Sequence, residues 1–247
     1  MSAAVKLAKR MASQLGLEVH RKPKAGGCDA SPINGQLFSP WTTDEVFKNQ
    51  FDTIKPLTLI SADRCYVLYT LASQAARLDG HWYECGVYKG GSAILLSKLM
   101  AEKREHEQSE LHLFDTFDGM PEPDQSKDLH EKGDFSDTSV DIVLDRVMTV
   151  APNPSVVHFH KGLIPDTFAG LEDHSIAFSH IDVDLYQSVI ACCQFIYPRT
   201  QSGGFMVFDD YGFPTCPGAR QAVDEFFFDK REIPLVLPTG QAVVFRA

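Results

Sequence analysis

The sequence predicts an α/β fold: a mostly parallel sheet with helices on both faces and an antiparallel hairpin at its end. Three observations predict it. Short apolar runs at residues 81–85, 111–114, 156–159, 176–181 and 205–208 alternate with helical patterns such as SAILLSKLMAE, SVDIVLDRVMTV and LYQSVIACCQFIYP. That βαβα order makes consecutive strands parallel and puts ligands beyond their carboxyl ends. The close of the chain, IPLVLPTGQAVVFRA, holds two more β-prone runs around Thr239-Gly240, which brings the expected strands to seven. With 247 residues, 44% of them apolar, the chain can fill one such core.

In chain order, residues 1–40 read as a basic helix and linker, 41–80 as a helical cap region, and 81–247 as the domain built on the sheet. In the first stretch Lys6, Lys9, Arg10, Arg21, Lys22 and Lys24 face only Glu18, with Ala4, Ala8, Met11 and Leu15 at helical spacing. Such a helix suits docking on the chain's own acidic body or on a second subunit, so a homo-oligomer is one expectation; an organelle-targeting peptide is the alternative. The segment KPKAGGCDASPINGQ then breaks any regular element. Helical stretches follow near 43–54 and 61–78, an N-terminal helical lid ahead of the first strand.

A formal net charge of -10 argues against nucleic acid or an anionic membrane as partner, both of which call for a basic surface. The six cysteines show no CxxC pair and read as reduced thiols of a cytoplasmic protein. No apolar run approaches the roughly 18 residues that span a bilayer, and the N-terminus lacks the apolar core of a secretory signal.

Function should gather at the strand ends. The first strand runs into YECGVYKGGSAILL, where Glu84, Gly86, Gly90 and Gly91 precede a helix. The ExGxxxGG spacing departs from the GxGxxG of dinucleotide-binding proteins and fits a loop around the amino-acid end of S-adenosylmethionine. Asp115 ends the second strand, where an α/β fold puts an acid for ribose hydroxyls; an N-cap or turn is its bland alternative. After it, GMPEPDQSKDLHEKGDFSDTS is long, polar and acidic, a lid over a substrate, and Ser139 with Asp141 caps the helix that follows. The fourth and fifth strands end in HIDVDLYQS and FMVFDDYG. Four carboxylates, Asp182, Asp184, Asp209 and Asp210, therefore converge on one sheet edge. Oxygen-only ligands at this density suit a hard divalent ion, Mg²⁺ before Ca²⁺ or Mn²⁺. Helix or turn capping by Asp184 and Asp210 is the alternative for those two.

The stretches TLISADRCYVLY, YECGVYKGGSAILL, FDTFDGMPEP, HKGLIPDTFAGL, HIDVDLYQS and FDDYGFPTCPGARQAVDEF closely resemble the macrocin O-methyltransferase family, from about Thr58 to the C-terminus. The resemblance implies a Rossmann-like class I methyltransferase fold, S-adenosylmethionine as methyl donor, a divalent metal such as Mg²⁺, and a sugar hydroxyl of a small-molecule natural product or glycoside as acceptor. Carried over by position, it makes Asp182, Asp209 and Asp210 metal ligands and Asp184 the general base. It makes Thr58 and Leu59 a segment closing over the cofactor. Glu84, Gly86, Val87, Tyr88, Gly90 and Ser92 become the loop at its methionine end, and Asp115 its ribose contact. Gly162 lies near the adenine, and Ser136 and Asp182 complete the cofactor contacts. Asp182 and Asp184, two apart on an extended strand end, are expected on one side of it.

A catechol-type metal-dependent O-methyltransferase is the nearest alternative, although it normally carries an Asp–Asn pair where this chain has Asp209-Asp210. A hydrolase using the four aspartates around two ions, and a binding module without catalysis, are the others. His180 is expected on the strand face opposite Asp182, as a satisfied core histidine. His158 and His160, sharing one strand face with no third histidine in view, read as structural, and Lys161 and Arg220 as solvated charges.

Overall fold

The computed structural model describes residues 38–247. The basic helix and most of the linker expected over 1–40, with Cys28, lie outside the described residues. From Ser39 to Ala247 the chain folds as one compact unit, so the 41–80 region belongs to the same body as the sheet.

Two helices come first, α1 (Glu45–Ile54) and α2 (Ala62–Ala75). They are followed by β1 (His81–Cys85), α3 (Gly91–Lys103), β2 (Leu111–Asp115), α4 (Val140–Val150), β3 (Val157–Lys161) and β4 (Ile176–Ile181). The chain closes with α5 (Tyr186–Ile196), β5 (Thr200–Phe208), α6 (Pro217–Phe227), β6 (Leu235–Val236) and β7 (Ala242–Phe245). The sheet has seven strands in the order β3-β2-β1-β4-β5-β7-β6. The first five are parallel, β7 pairs antiparallel with β5, and β6 with β7, as the C-terminal pattern predicts. No helix among the described residues is long and apolar enough to cross a membrane.

Alternation within the strands sorts the core into two layers. Trp82, Leu111, Leu113, Phe205 and Val207 pack with Phe47, Leu68, Leu96 and Val143 on one face, under α1 to α4. Tyr83, Phe114, Met206 and Phe208 face the other way, onto Cys192, Ile196, Ala222 and Val223 of α5 and α6. Asp44 starts α1 by accepting the Phe47 N–H at 3.0 Å, and Ser139 starts α4 by accepting that of Ile142 at 3.5 Å. Between β1 and β4 the strand order reverses, and such a reversal opens a crevice at the carboxyl ends of the strands.

Three expectations need correcting. β5 begins at Thr200, five residues before the apolar run, because Gly203 at φ +86° and a register shift against β4 carry the pairing past a bulge. Helix α6 was not foreseen, although Pro217 at its first turn and Ala219, Ala222, Val223 and Phe227 at helical spacing announce it. His158 and His160 are not alone on their face either. His160 pairs with His112 at 2.9 Å, His81 stacks on His174 and His112 on His158, and the two stacks meet edge-on.

One buried cluster ties the end of the chain to the helical layer. Glu232 accepts the Tyr197 hydroxyl at 2.6 Å and pairs with the Arg246 guanidinium. Burial works against the charged carboxylate, but these donors outweigh it and hold Glu232 at about 2. A carboxylate whose pKa is depressed on folding contributes stability above its unfolded value, near 4.5, and loses it as pH falls toward about 2. Glu232→Gln is therefore expected to lower the thermal midpoint at pH 7 and to flatten the fall between pH 4.5 and 3; equal slopes in both proteins would sink the assignment.

Candidate active site

At the carboxyl ends of β1, β2, β4 and β5 lies a cavity of about 290 Å³. Its walls are the segment Leu57–Ile60, the turn after β1, Asp115, the long loop after β2, Gly162–Ile164, Asp182–Asp184, Asp210 and Phe213. Apolar walls with a few convergent polar groups are the usual build of a small-molecule site.

The turn after β1 follows from its glycines. Gly86 has φ +89°, and a Cβ there would lie 1.8 Å from the Asp182 carbonyl oxygen, so only glycine lets the β1 and β4 ends approach this closely. Asp115 holds the same turn from β2. Its Oδ2 accepts the N–H groups of Val87 (2.7 Å) and Tyr88 (3.0 Å), and its Oδ1 that of Phe117 (2.7 Å). Thr58, Leu59, Gly86, Val87, Tyr88, Ser92, Asp115, Gly162 and Asp182 all line the cavity.

Four expected site residues are not part of the cavity wall. Gly90 makes room for α4: a Cβ would meet Val143 and Val147 at 3.0 and 3.1 Å. Ser136 packs against Gly119. Glu84 is fully buried and turned to His180, at 3.3 Å from its Nδ1. Asp209 is fully buried too, paired with Arg64, hydrogen-bonded by Gln241 at 2.8 Å, and 3.7 Å from His180 Nε2. His180 thus sits between two carboxylates. Burial pushes its pKa down, but Asp209 and Glu84 outweigh that and raise it to about 10. The face assigned to it was wrong: residues two apart on a strand share a face, and one donor atom each of His180, Asp182 and Asp209 lies within 4.8 Å of the others.

The remaining carboxylates meet in the cavity, by a different route from the extended one. β4 ends at Ile181, and Asp184 has φ +55° in a tight turn closed by Leu185 N–H to Val183 O at 2.5 Å. Its own N–H donates to Asp210 Oδ2 at 3.0 Å. Asp182 is raised well above the ordinary carboxylate range by burial and by Asp209 and Asp210; Asp210 is raised by burial and by Asp184 and Asp209. Neither Asp184 nor Asp210 caps the helix after its strand. Asp128 of the long loop does so for α5, with Oδ1 2.9 Å from Tyr186 N.

That loop, expected as a lid, contributes to the cavity wall. Met120, Pro121, His130, Phe135 and Thr138 reach the cavity from it. His130 Nε2 stands 3.5 Å from Asp184 Oδ1, and the Cys216 thiol donates to the same oxygen at 3.3 Å. Asp128 anchors the loop at a spot left open by Gly218, where a Cβ would lie 2.0 Å from Asp128 Oδ1. Asp128→Ala is expected to lower stability by about 1 kcal/mol through the lost cap. It should also speed proteolysis within 119–134; an unchanged cleavage rate would remove Asp128 as the anchor.

Sequence reasoning missed Arg64, His130, Phe213 and Cys216. Arg64 bonds Leu59 O at 3.0 Å and lies 4.8 Å over the Phe213 ring besides its contact with Asp209, so it ties the 58–61 segment to β5. Lys161 and Arg220 pair with Asp118 (3.0 Å) and Asp224 (3.6 Å), outside the cavity.

Comparison with known proteins follows the same outline. The profile of the macrocin O-methyltransferase (TylF) family matches residues 55–246. The chain is 29% identical over 158 residues to the 8-demethyl-8-(2,3-dimethoxy-alpha-L-rhamnosyl)-tetracenomycin-C 4'-O-methyltransferase of Streptomyces olivaceus, covering 60% of this chain and 58% of that one. It is 27% identical to the mycinamicin III 3''-O-methyltransferase of Micromonospora griseorubida, covering 68% and 69%. It thus spans 58% of the length of the tetracenomycin enzyme and of the demethyldecarbamoylnovobiocin O-methyltransferase of Streptomyces niveus. Among solved structures, the O-methyltransferase NovP superposes with a TM-score of 0.68 at 22% identity, over 77% of this chain and 82% of that one. The calicheamicin methyltransferase CalS11 superposes with a TM-score of 0.65 at 16% identity, over 90% and 99%.

Proposed function

We propose that the chain, which belongs to the macrocin O-methyltransferase family, transfers a methyl group from S-adenosylmethionine to a sugar hydroxyl of a small-molecule glycoside, with a divalent cation such as Mg²⁺ at the acceptor. The observation that carries this reading is the meeting, in one cavity, of a glycine turn held by Asp115 and a carboxylate cluster formed by Asp182, Asp184 and Asp210.

The residues fit both groups. Asp115 lines the cavity while it holds the turn, and the turn leaves backbone rather than side chain at the β1 end of the cavity, as a cofactor held along its length requires. For the cation, Asp182 and Asp210 offer oxygen ligands, and no hydrogen-bond donor among the described residues reaches the Asp182 carboxylate. A half-buried and a buried carboxylate repelling one another are short of positive charge, and an oxygen-only pair suits a hard ion. Asp209 joins them only by giving up Arg64 or Gln241.

When bound, the cofactor supplies an activated methyl on a sulfonium, and the cation supplies positive charge beside the hydroxyl oxygen. The chain's own residues do the rest. Asp184 takes the acceptor proton on Oδ2, because Oδ1 is held by the Cys216 thiol and faces His130. The loop carrying His130 and Phe135, together with Thr58 and Leu59, lines the cavity and keeps water from the reacting atoms.

The test is transfer of labelled methyl from S-adenosylmethionine to a panel of deoxysugar glycosides and catechols, with and without a chelator, and with Mg²⁺ restored. Label on a sugar oxygen that chelation removes and Mg²⁺ returns is the expected result. Label on catechols alone would move the reading to the catechol type, and hydrolysis of an acceptor without transfer would replace it altogether.

A further inference from the structure

The opposite end of the same strands carries a second constellation of donors that the proposed reaction does not use. Strand register builds it. His112 pairs with His158 across β2 and β3, and with Tyr83 across β1 and β2, so His81, two residues before Tyr83, shares their face. His174 enters from the chain just before β4 and stacks on His81 with ring centroids 4.2 Å apart. Glu110, immediately before β2, places its carboxylate among these rings, 3.8 Å from His81 Nδ1, 3.6 Å from His112 Nε2 and 3.3 Å from His158 Nε2.

Three of these nitrogens are buried without a hydrogen-bond partner among the described residues: His81 Nδ1, His112 Nε2 and His158 Nε2. His112 as a whole is only 3% exposed. Orphaned buried polar atoms are rare and call for an explanation. A nitrogen each from His81, His112 and His174 lies within 4.8 Å of the others.

We propose that His81, His112 and His174, with the Glu110 carboxylate, bind a borderline transition-metal ion, Zn²⁺ first among them, at a site separate from the oxygen-only cluster of the active site. Imidazole nitrogens with one carboxylate are the ligands such an ion prefers, and Mg²⁺ does not. Neutral rings are needed for ligation. His112 is almost fully buried, which favours the neutral ring. The supporting contacts also suit a metal site. His112 Nδ1 lies 2.9 Å from His160 Nε2 and His174 Nδ1 lies 2.9 Å from the Tyr83 hydroxyl, and donation from each Nδ1 is the tautomer that leaves Nε2 a lone pair. An ion there joins β1, β2 and the entry to β4, and serves the fold.

The test uses the full chain without a histidine tag and Co²⁺ as a spectroscopic stand-in for Zn²⁺. One equivalent should give the intense visible bands of a four-coordinate ion, lost on adding Zn²⁺, and Zn²⁺ should raise the thermal midpoint. His81→Gln and Glu110→Gln, both at partly exposed positions, should each weaken Co²⁺ binding at least tenfold, whereas Asp182→Asn/Asp210→Asn should keep the spectrum. Absence of intense bands in the unaltered chain would overturn the proposal. So would bands lost in the double aspartate variant and kept in Glu110→Gln, which would place the ion in the active-site cavity.

Discussion

Asp209→Ala is expected to destabilise the protein by about 3–5 kcal/mol, the usual consequence of removing one partner from a buried ion pair. Asp209 is fully buried, bonds both Arg64 and the Gln241 amide, and lies 3.7 Å from His180 Nε2. Its own pKa is held low: burial would raise it, but His180 and Arg64 outweigh that. Alanine would leave the Arg64 guanidinium without its carboxylate in the interior, and would loosen the 58–61 segment that Arg64 ties down through Leu59. Loss of activity in this variant therefore has a structural component, and methyl transfer alone does not report on metal ligation. Urea unfolding separates the two, and Asp209→Asn, which keeps an oxygen for Arg64 or Gln241, should lose less stability than alanine. A midpoint for Asp209→Ala equal to that of the unaltered chain would show that Arg64 and His180 do not depend on this carboxylate.

The case of Asp209 also shows what a sequence carries and what it does not. The strands were legible because each is a short apolar run between helical patterns, and β1 and β4 fall on the residues expected. The convergence of Asp115, Asp182 and Asp210 was legible for a related reason: a parallel sheet puts the residues that end its strands on one edge. Which of two adjacent aspartates faces the cavity was not. That depends on Asp209 meeting Arg64, a residue 145 positions earlier on a helix whose pattern looks merely amphipathic. His130 lay in a polar loop with no period to read, and its place beside Asp184 is set by the distant anchor between Asp128 and the start of α5. The histidines of β1 to β3 needed the register between strands, which period-two alternation within a single strand does not give. The i, i+2 rule for Asp182 and Asp184 does not describe this segment, since the chain turns at Asp184 instead of running on extended, although both residues line the cavity.

Asp184→Asn is expected to reduce turnover by about 10²–10⁴-fold, the usual contribution of a positioned general base. The substitution is mild for the fold. The amide keeps the size of the side chain, its oxygen can still accept the Cys216 thiol, and the Asp184 N–H that meets Asp210 belongs to the backbone. Asparagine also tolerates the left-handed φ of +55° at this position, as few other residues do. What it cannot do is take a proton near neutral pH. Burial raises the Asp184 pKa above the usual carboxylate value, with the Cys216 hydrogen bond and His130 pulling the other way. A base must be ionised to act, so the rate should fall as pH drops through this raised value, on an acid limb displaced upward from the ordinary carboxylate range. In the asparagine variant that limb should vanish from what activity remains, while calorimetry shows cofactor affinity within about threefold of the unaltered chain. Undiminished turnover with an unchanged acid limb would move the proton elsewhere, and His130, 3.5 Å from Asp184 Oδ1 and on the cavity wall, would be the residue to replace next.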